Sequence, residues 1–218
     1  MVVPDTCPLC GSAALPFHSV RNRAMSRDFV HCAVCDLVSV PARFHVGVEA
    51  ERRRYLEHNN DPEDPDYRAF LDRLWSQLKP RLEPGSKGLD YGAGPGPALA
   101  AMMAEDGFRV SVYDKHFQPD RAVLGQSYDF VVCTETAEHF DDPAGAFREL
   151  NGLLAAGGWL GVMTAMLDDW ADFPEWYYHR DPTHIAFYSR RTMQWTADAH
   201  GWRASFPKEN VVLFRKEL

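Results

Sequence analysis

Hydrophobic positions along this chain follow three kinds of pattern. The first is a set of short, largely apolar runs of strand length. Lys87–Tyr91 and Arg109–Tyr113 are two of them, and Tyr128-Asp129-Phe130-Val131-Val132-Cys133 is the clearest. That run does not alternate with polar residues, as expected for a central parallel strand buried on both faces. The second pattern has apolar residues every three or four positions. Over Asp66–Lys79 it places Tyr67, Phe70, Leu71, Leu74 and Leu78 on one face, and Pro80 and Pro84-Gly85 end the helix. Further helices are expected over Glu49–Glu57, Pro97–Asp106, Ala144–Ala155 and from Ser189 to Ala199. Asp142-Pro143 caps the fourth, Gly157-Gly158 ends it, and His200-Gly201 stops the last. Strands at Trp159–Ala165, Trp202–Phe206 and Val211–Arg215 complete the series. The third pattern is absence of period: residues 168–190 carry many aromatics and two histidines with no repeat.

Strand and helix alternate from residue 86 onward, which predicts an α/β, Rossmann-like doubly wound sheet. Only 13 residues separate Asp114 from Tyr128. One crossover with its helix needs about 10–12 residues, so the edge strand usual in such sheets is expected to be missing. The predicted organisation is a ribbon over 1–40, with short strands at Phe29–His31 and Leu37–Val40, a helical linker or lid over 41–85, and a core domain over 86–218. In the linker, Tyr55, His58, Asn59 and Asn60 precede a Pro/Asp-rich loop and are candidates for a lid.

The candidate chemistry centres on Leu89-Asp90-Tyr91-Gly92-Ala93-Gly94-Pro95-Gly96-Pro97. Strand, glycine turn and helix start form a nucleotide-type opening. Glycine allows positive φ and lets a ligand lie against bare main chain. A dinucleotide site wants G-x-G-x-x-G with a pyrophosphate at the helix start, but the sixth position here is Pro97. Asp90 would also repel a phosphate. A cationic, phosphate-free ligand suits it better, and S-adenosylmethionine (SAM) has a sulfonium, an ammonium and no phosphate. Asp114 lies 24 residues after Asp90, near the ~20-residue offset of a ribose-binding carboxylate. Glu135 follows the next strand, where ligands of such sheets bind.

The chain has 218 residues and a formal net charge of −8, which argues against a phosphate-backbone binder. No run of 18 apolar residues is present and the N-terminus lacks a secretory pattern, so no membrane span and a cytoplasmic location are expected. Cys7-Pro8-Leu9-Cys10 and Cys32-Ala33-Val34-Cys35 form two C-x-x-C knuckles with 21 residues between them. Two knuckles offer the S4 cage of a structural zinc ion, which a short ribbon with little core needs. His18 and His31 are alternative ligands. Cys133, inside a strand, is expected in the core.

The D-x-G-x-G-x-G run resembles motif I of class I SAM-dependent methyltransferases. The segment from Tyr128 through Glu135-x-x-Glu138-His139, Asp142-Pro143 and Gly157-Gly158 resembles the later half of ubiquinone-biosynthesis-type O-methyltransferases and their relatives. Together these cover residues 87–165. The whole chain also resembles a bacterial group related to sugar C-methyltransferases, with an N-terminal four-cysteine zinc module and an H-x-E-H-x-x-Y-F-S-like segment. Here that segment reads Asp181-Pro182-Thr183-His184-Ile185-Ala186-Phe187-Tyr188-Ser189; it keeps the His and Tyr-Ser but not the His-x-Glu, and no counterpart of that group's large C-terminal domain is expected within these 218 residues.

The resemblance implies a methyltransferase binding SAM through Asp90, Gly92, Gly94, Gly96, Asp114 and Glu135. Its acceptor would be a small molecule attacking through oxygen or carbon. His184 or His139 is the candidate base, as imidazole titrates near working pH. Tyr188 or Tyr178 is the candidate to orient an acceptor hydroxyl, with the aromatic segment as pocket wall. Two rivals remain: a zinc-ribbon protein that methylates or binds RNA, with Arg52-Arg53-Arg54 as its basic run, and an NAD-dependent oxidoreductase.

Overall fold

The computed structural model describes residues 5–23, 25–57 and 61–217. The lid candidates His58, Asn59 and Asn60 lie outside them. The chain begins with β1 (Asp5–Thr6), β2 (Ala13–Arg21), β3 (Ser26–His31) and β4 (Val38–Ser39). Two helices follow, α1 (Val48–Tyr55) and α2 (Pro65–Leu78). Asp64 caps α2 by accepting from the Asp66 and Tyr67 amides, and Pro65 opens the first turn. Next come β5 (Lys87–Tyr91), α3 (Ala98–Glu105), β6 (Arg109–Tyr113), β7 (Tyr128–Thr134), α4 (Pro143–Leu153) and β8 (Leu154–Met163). After a stretch of short 3-10 turns, β9 (Ala186–Phe187), α5 (Arg190–His200), β10 (Trp202–Lys208) and β11 (Val211–Lys216) close the chain.

The main sheet runs β10-β11-β8-β7-β5-β6. β6, β5, β7 and β8 are parallel, while β11 and β10 return antiparallel. This is the doubly wound, Rossmann-like sheet expected. No strand lies beyond β6 among the described residues; Arg121–Gly125 forms a 3-10 turn instead. β7 shows why its sequence does not alternate. Phe130 and Val132 face the cluster built by α2 and α3 through Leu74, Trp75, Leu99 and Met103. Val131 and Cys133 face the opposite cluster, built by α4 and α5 through Phe147, Leu150, Met193 and Ala197. α4 stops at Leu153, and β8 starts at Leu154 rather than Trp159 because the strand pairs from Tyr128↔Leu154 onward.

The ribbon strands form a second sheet, β1-β2-β3-β4-β9. β9 comes from the far end of the chain and pairs Val38↔Phe187 and Ser39↔Ala186. β2 escapes the sequence pattern because Pro16 sits in it and a register shift falls between Pro16 and His18. The aromatic segment corrects the expectation of a stacking wall for a ligand. Phe173, Tyr178 and Phe187 pack with Phe29, Val38 and Val40 of the ribbon in one core. A short ribbon lacks apolar volume, and these rings supply it. Among the described residues no helix is long and apolar enough to cross a membrane.

Candidate active site

The glycine bend leaves β5 and enters α3. Gly92 and Gly94 hold φ of 80° and 67°, a region that disfavours a Cβ. The Gly92 and Ala93 amides both donate to the Tyr113 carbonyl, at 2.8 and 3.2 Å, tying the bend to β6. A Cβ on Gly92 would come within 2.3 Å of Thr136 Cγ2. Asp90 is 2% exposed. Burial pushes its carboxyl up to about 7; a hydrogen bond from the Ala100 amide opposes this, and the nearby Asp114 charge adds to it. Its Oδ1 has no hydrogen-bond partner. Asp114 directly follows β6 and holds three amides: Oδ2 accepts from the Gly94 amide at 3.0 Å, and Oδ1 from the His116 and Phe117 amides at 2.8 and 3.0 Å.

These groups line a cavity of about 790 Å³ at the C-terminal ends of the parallel strands. Asp90, Gly92, Gly94, Asp114, Glu135, Glu138, His139 and His184 all face it. Gly96 does not line it; its carbonyl accepts from the Ala98 amide at 2.7 Å and helps start α3. Tyr188 does not line it either. Its ring is fully buried and its hydroxyl donates to the Ala137 carbonyl at 2.9 Å, so it is committed to packing. Tyr178 is also absent from the lining, and its hydroxyl donates to Glu138 Oε1.

The cavity also holds a compact polar cluster. Glu135 adopts a φ of 47°, and its carboxyl is held well above the usual range by burial and then by the Glu138 charge. Glu138 is fully buried and also accepts from Thr164 Oγ1 at 2.8 Å. His139 Nδ1 meets the Thr183 carbonyl at 2.9 Å, and His184 Nδ1 meets the Tyr178 carbonyl at 2.8 Å. A carbonyl can only accept, so each Nδ1 carries a proton. The two rings lie 4.9 Å apart. Burial, more than any other influence, pushes His184 down to about 4, so it is neutral near pH 7. One ligand-type atom from each of Glu138, His139 and His184 lies within 4.8 Å of the others, so the set could hold a divalent cation.

The cysteines form a separate cluster. Cys7 and Cys35 Sγ are 3.4 Å apart, as are Cys10 and Cys32 Sγ. A tetrahedron with ~2.3 Å metal–sulfur bonds has edges of about 3.8 Å, so four thiolates fit one zinc ion after a small expansion. The knuckles match: the Gly11 amide donates to the Cys7 carbonyl and the Asp36 amide to that of Cys32, with φ of 74° and 64°. His31 Nε2 is instead taken up by Asp36 Oδ1 at 2.9 Å. His18 packs among Phe29, Phe173 and His179.

Sequence reasoning missed two groups of contributors. Tyr67, Phe70 and Leu71 of α2 give the cavity an apolar wall, but their helical period reads equally as core. Lys115 and His116 line it directly after Asp114 and pair with Glu51 of α1 at 3.1 Å each; their signal was adjacency to Asp114. Of the lid candidates, Tyr55 of α1 lines the cavity and packs edge-on to His139 at 4.9 Å.

Comparison with known proteins agrees with this geometry. A sequence model of the methyltransferase domain matches residues 55–204. No curated protein sequence matches the chain. Among solved structures, a Burkholderia thailandensis 1,6-didemethyltoxoflavin N1-methyltransferase, with its substrate and S-adenosylhomocysteine bound, aligns over 94% of this chain and 100% of its own at 16% identity and TM-score 0.56. Magnesium protoporphyrin IX methyltransferase from Synechocystis, bound to S-adenosylhomocysteine, aligns over 78% of this chain and 95% of its own at 15% identity and TM-score 0.54. An O-methyltransferase family protein from Burkholderia thailandensis aligns over 77% of this chain at 16% identity and TM-score 0.49, and the chain spans 63% of that protein's length.

Proposed function

The chain belongs to the methyltransferase domain family, and from that premise we propose that it moves a methyl group from SAM to a small-molecule acceptor. The observation that carries the donor assignment is Asp90, a buried carboxylate with an unpartnered Oδ1 on a glycine bend. Such a group is costly unless a cation meets it, and the donor's ammonium is one. Asp114 is the candidate for the ribose hydroxyls, and Glu135 faces the same cavity. When bound, the donor supplies an electrophilic methyl on a positive sulfur. The acceptor's lone pair forms the new bond to carbon as the carbon–sulfur bond breaks, and sulfur leaves with that electron pair. His184 Nε2, neutral and aimed by the Tyr178 carbonyl, takes the acceptor's proton, with His139 beside it. Holding the reactants aligned away from water supplies the rest of the rate.

The cavity is lined by seven carboxylates, Asp90, Asp114, Glu135, Glu138, Asp141, Asp142 and Glu149, against Lys115 and Arg121. This favours a neutral or cationic acceptor over RNA or a phosphorylated one. If Glu138, His139 and His184 hold a divalent cation instead, the cation would acidify the acceptor, and turnover would stop in chelator. We further infer that Cys7, Cys10, Cys32 and Cys35 hold a structural zinc ion. The decisive test is calorimetry with SAM, S-adenosylhomocysteine and NADH, then a methyl-transfer screen over phenols, quinols, sugars and RNA. Micromolar binding of the first two and none of NADH is expected. NADH binding would overturn the donor assignment, and RNA methylation with a steep loss in salt would overturn the acceptor class.

A further inference from the structure

Arg27 is the one arginine of the ribbon strand β3, and it is 2% exposed. Its guanidinium reaches across to the segment before β9. Nη1 donates to the His184 carbonyl at 2.9 Å and to the Pro182 carbonyl at 3.3 Å. Nη2 donates to the Asp181 carbonyl at 2.8 Å and to the His179 carbonyl. Four carbonyls of one six-residue segment therefore converge on one side chain more than 150 positions away. Phe29 stacks beneath the guanidinium at 5.0 Å. Burial pushes the group down to about 10, so it remains a cation at neutral pH.

The same segment aims both site histidines. Tyr178 O and Thr183 O, the acceptors for His184 Nδ1 and His139 Nδ1, flank or lie within the clamped residues. The Ile185 amide, just beyond them, donates to the Glu138 carbonyl at 2.8 Å. A second set of bonds holds the outer side. Asp181 accepts from Arg54 Nε at 2.9 Å and from Thr183 Oγ1 at 2.6 Å. A planar fork with five donors suits this task, since it can bond several diverging carbonyls at once while lysine cannot.

We propose that Arg27 is a positioning residue, through which the four-cysteine ribbon holds His184 and His139 in the tautomer and orientation that methyl transfer requires. The ribbon is then a working part of the acceptor side rather than a separate recognition module. This rests on the proposed function above, but its first readout does not need turnover. In the full-length protein with its metal, Arg27→Met and Arg27→Lys are compared with the parent by nitrogen-15 NMR of the histidine rings. The parent should show Nδ1-protonated signals for His139 and His184. Arg27→Met should scramble both, with Arg27→Lys between, while SAM affinity by calorimetry stays within about twofold, because the Asp90–Asp114 side is untouched. Once an acceptor is known, kcat should fall on the order of 100-fold in Arg27→Met, the cost of misplacing a reacting group by about 1 Å. Methylguanidinium should restore part of it.

Unchanged ring signals in a folded Arg27→Met protein would overturn the proposal. Failure of both variants to fold would overturn it too, by showing that the guanidinium holds the whole molecule and not one segment. Absence of SAM binding in the parent would instead sink the proposed function while leaving the ring signals to judge Arg27.

Discussion

Replacing Asp90 with Asn should make the donor-free protein more stable and its donor binding worse. The carboxyl is pushed from 3.8 up to about 7 by burial. A raised acid contributes its stability below the unfolded value and loses it as pH climbs through the folded one. The difference of about 3 units, at roughly 1.4 kcal/mol each, costs the folded state about 4 kcal/mol at pH 8 and only about 1 kcal/mol at pH 4.5. Asn removes that cost while keeping an oxygen for the Ala100 amide. At roughly 2–4 °C per kcal/mol for a chain of this size, Asp90→Asn should melt on the order of 10 °C higher at pH 8 and nearly with the parent at pH 4.5. His184 works in the opposite sense. It is pushed from 6.5 down to about 4, so its share, on the order of 3 kcal/mol, is complete above pH 6.5 and lost as pH falls through 4. The two slopes nearly cancel in the parent, and the variant should expose the histidine slope alone. Melting curves from pH 4 to 8, with and without S-adenosylhomocysteine, read all of this. A gain that is absent at pH 8, or equal at both ends, would refute the claim that Asp90 is a buried acid awaiting a cation.

Asp114→Ala removes the acceptor for three amides and should weaken SAM binding at least about tenfold by calorimetry, with metal content unchanged. His184→Gln should flatten the loss of stability between pH 6.5 and 4 and lower kcat by about 10²–10⁴-fold, with donor affinity intact. Cys35→Ser, or stripping with chelator, should take bound zinc from one per chain to none by atomic absorption. It should also lower the melting temperature, because the ribbon loses the clamp between its knuckles.

The glycine-bend side of the cavity was legible because its parts are near one another in sequence. Strand, bend and helix from Lys87 to Glu105 are contiguous, and period and glycine placement give all three. Asp114 follows by an offset characteristic of such units. The histidine side was not legible in the same way. His184 and His139 stand out as types, but what aims them, Tyr178 and Thr183 carbonyls, is main chain and leaves no residue signature. Arg27 reads as an ordinary charge on a ribbon strand until the fold brings residues 179–184 to it. Tyr188 looked like a polar handle because its ring and hydroxyl suit a substrate; a buried carbonyl at Ala137 claims that hydroxyl. The aromatic segment was misjudged for a related reason: lack of period signals irregular backbone, not which surface the rings will cover.

The pairing of β4 with β9 also bears on how the polypeptide assembles as it is made. The cysteine knuckles emerge early, yet β4 has no neighbour on one edge until Ala186 and Phe187 follow, about 150 residues later. Until then the nascent ribbon presents an unpaired edge and the bare apolar side chains of Phe29, Val38 and Val40. The glycine-bend side of the cavity can form from residues already synthesised, while the His184 side waits for the last quarter of the chain to close it.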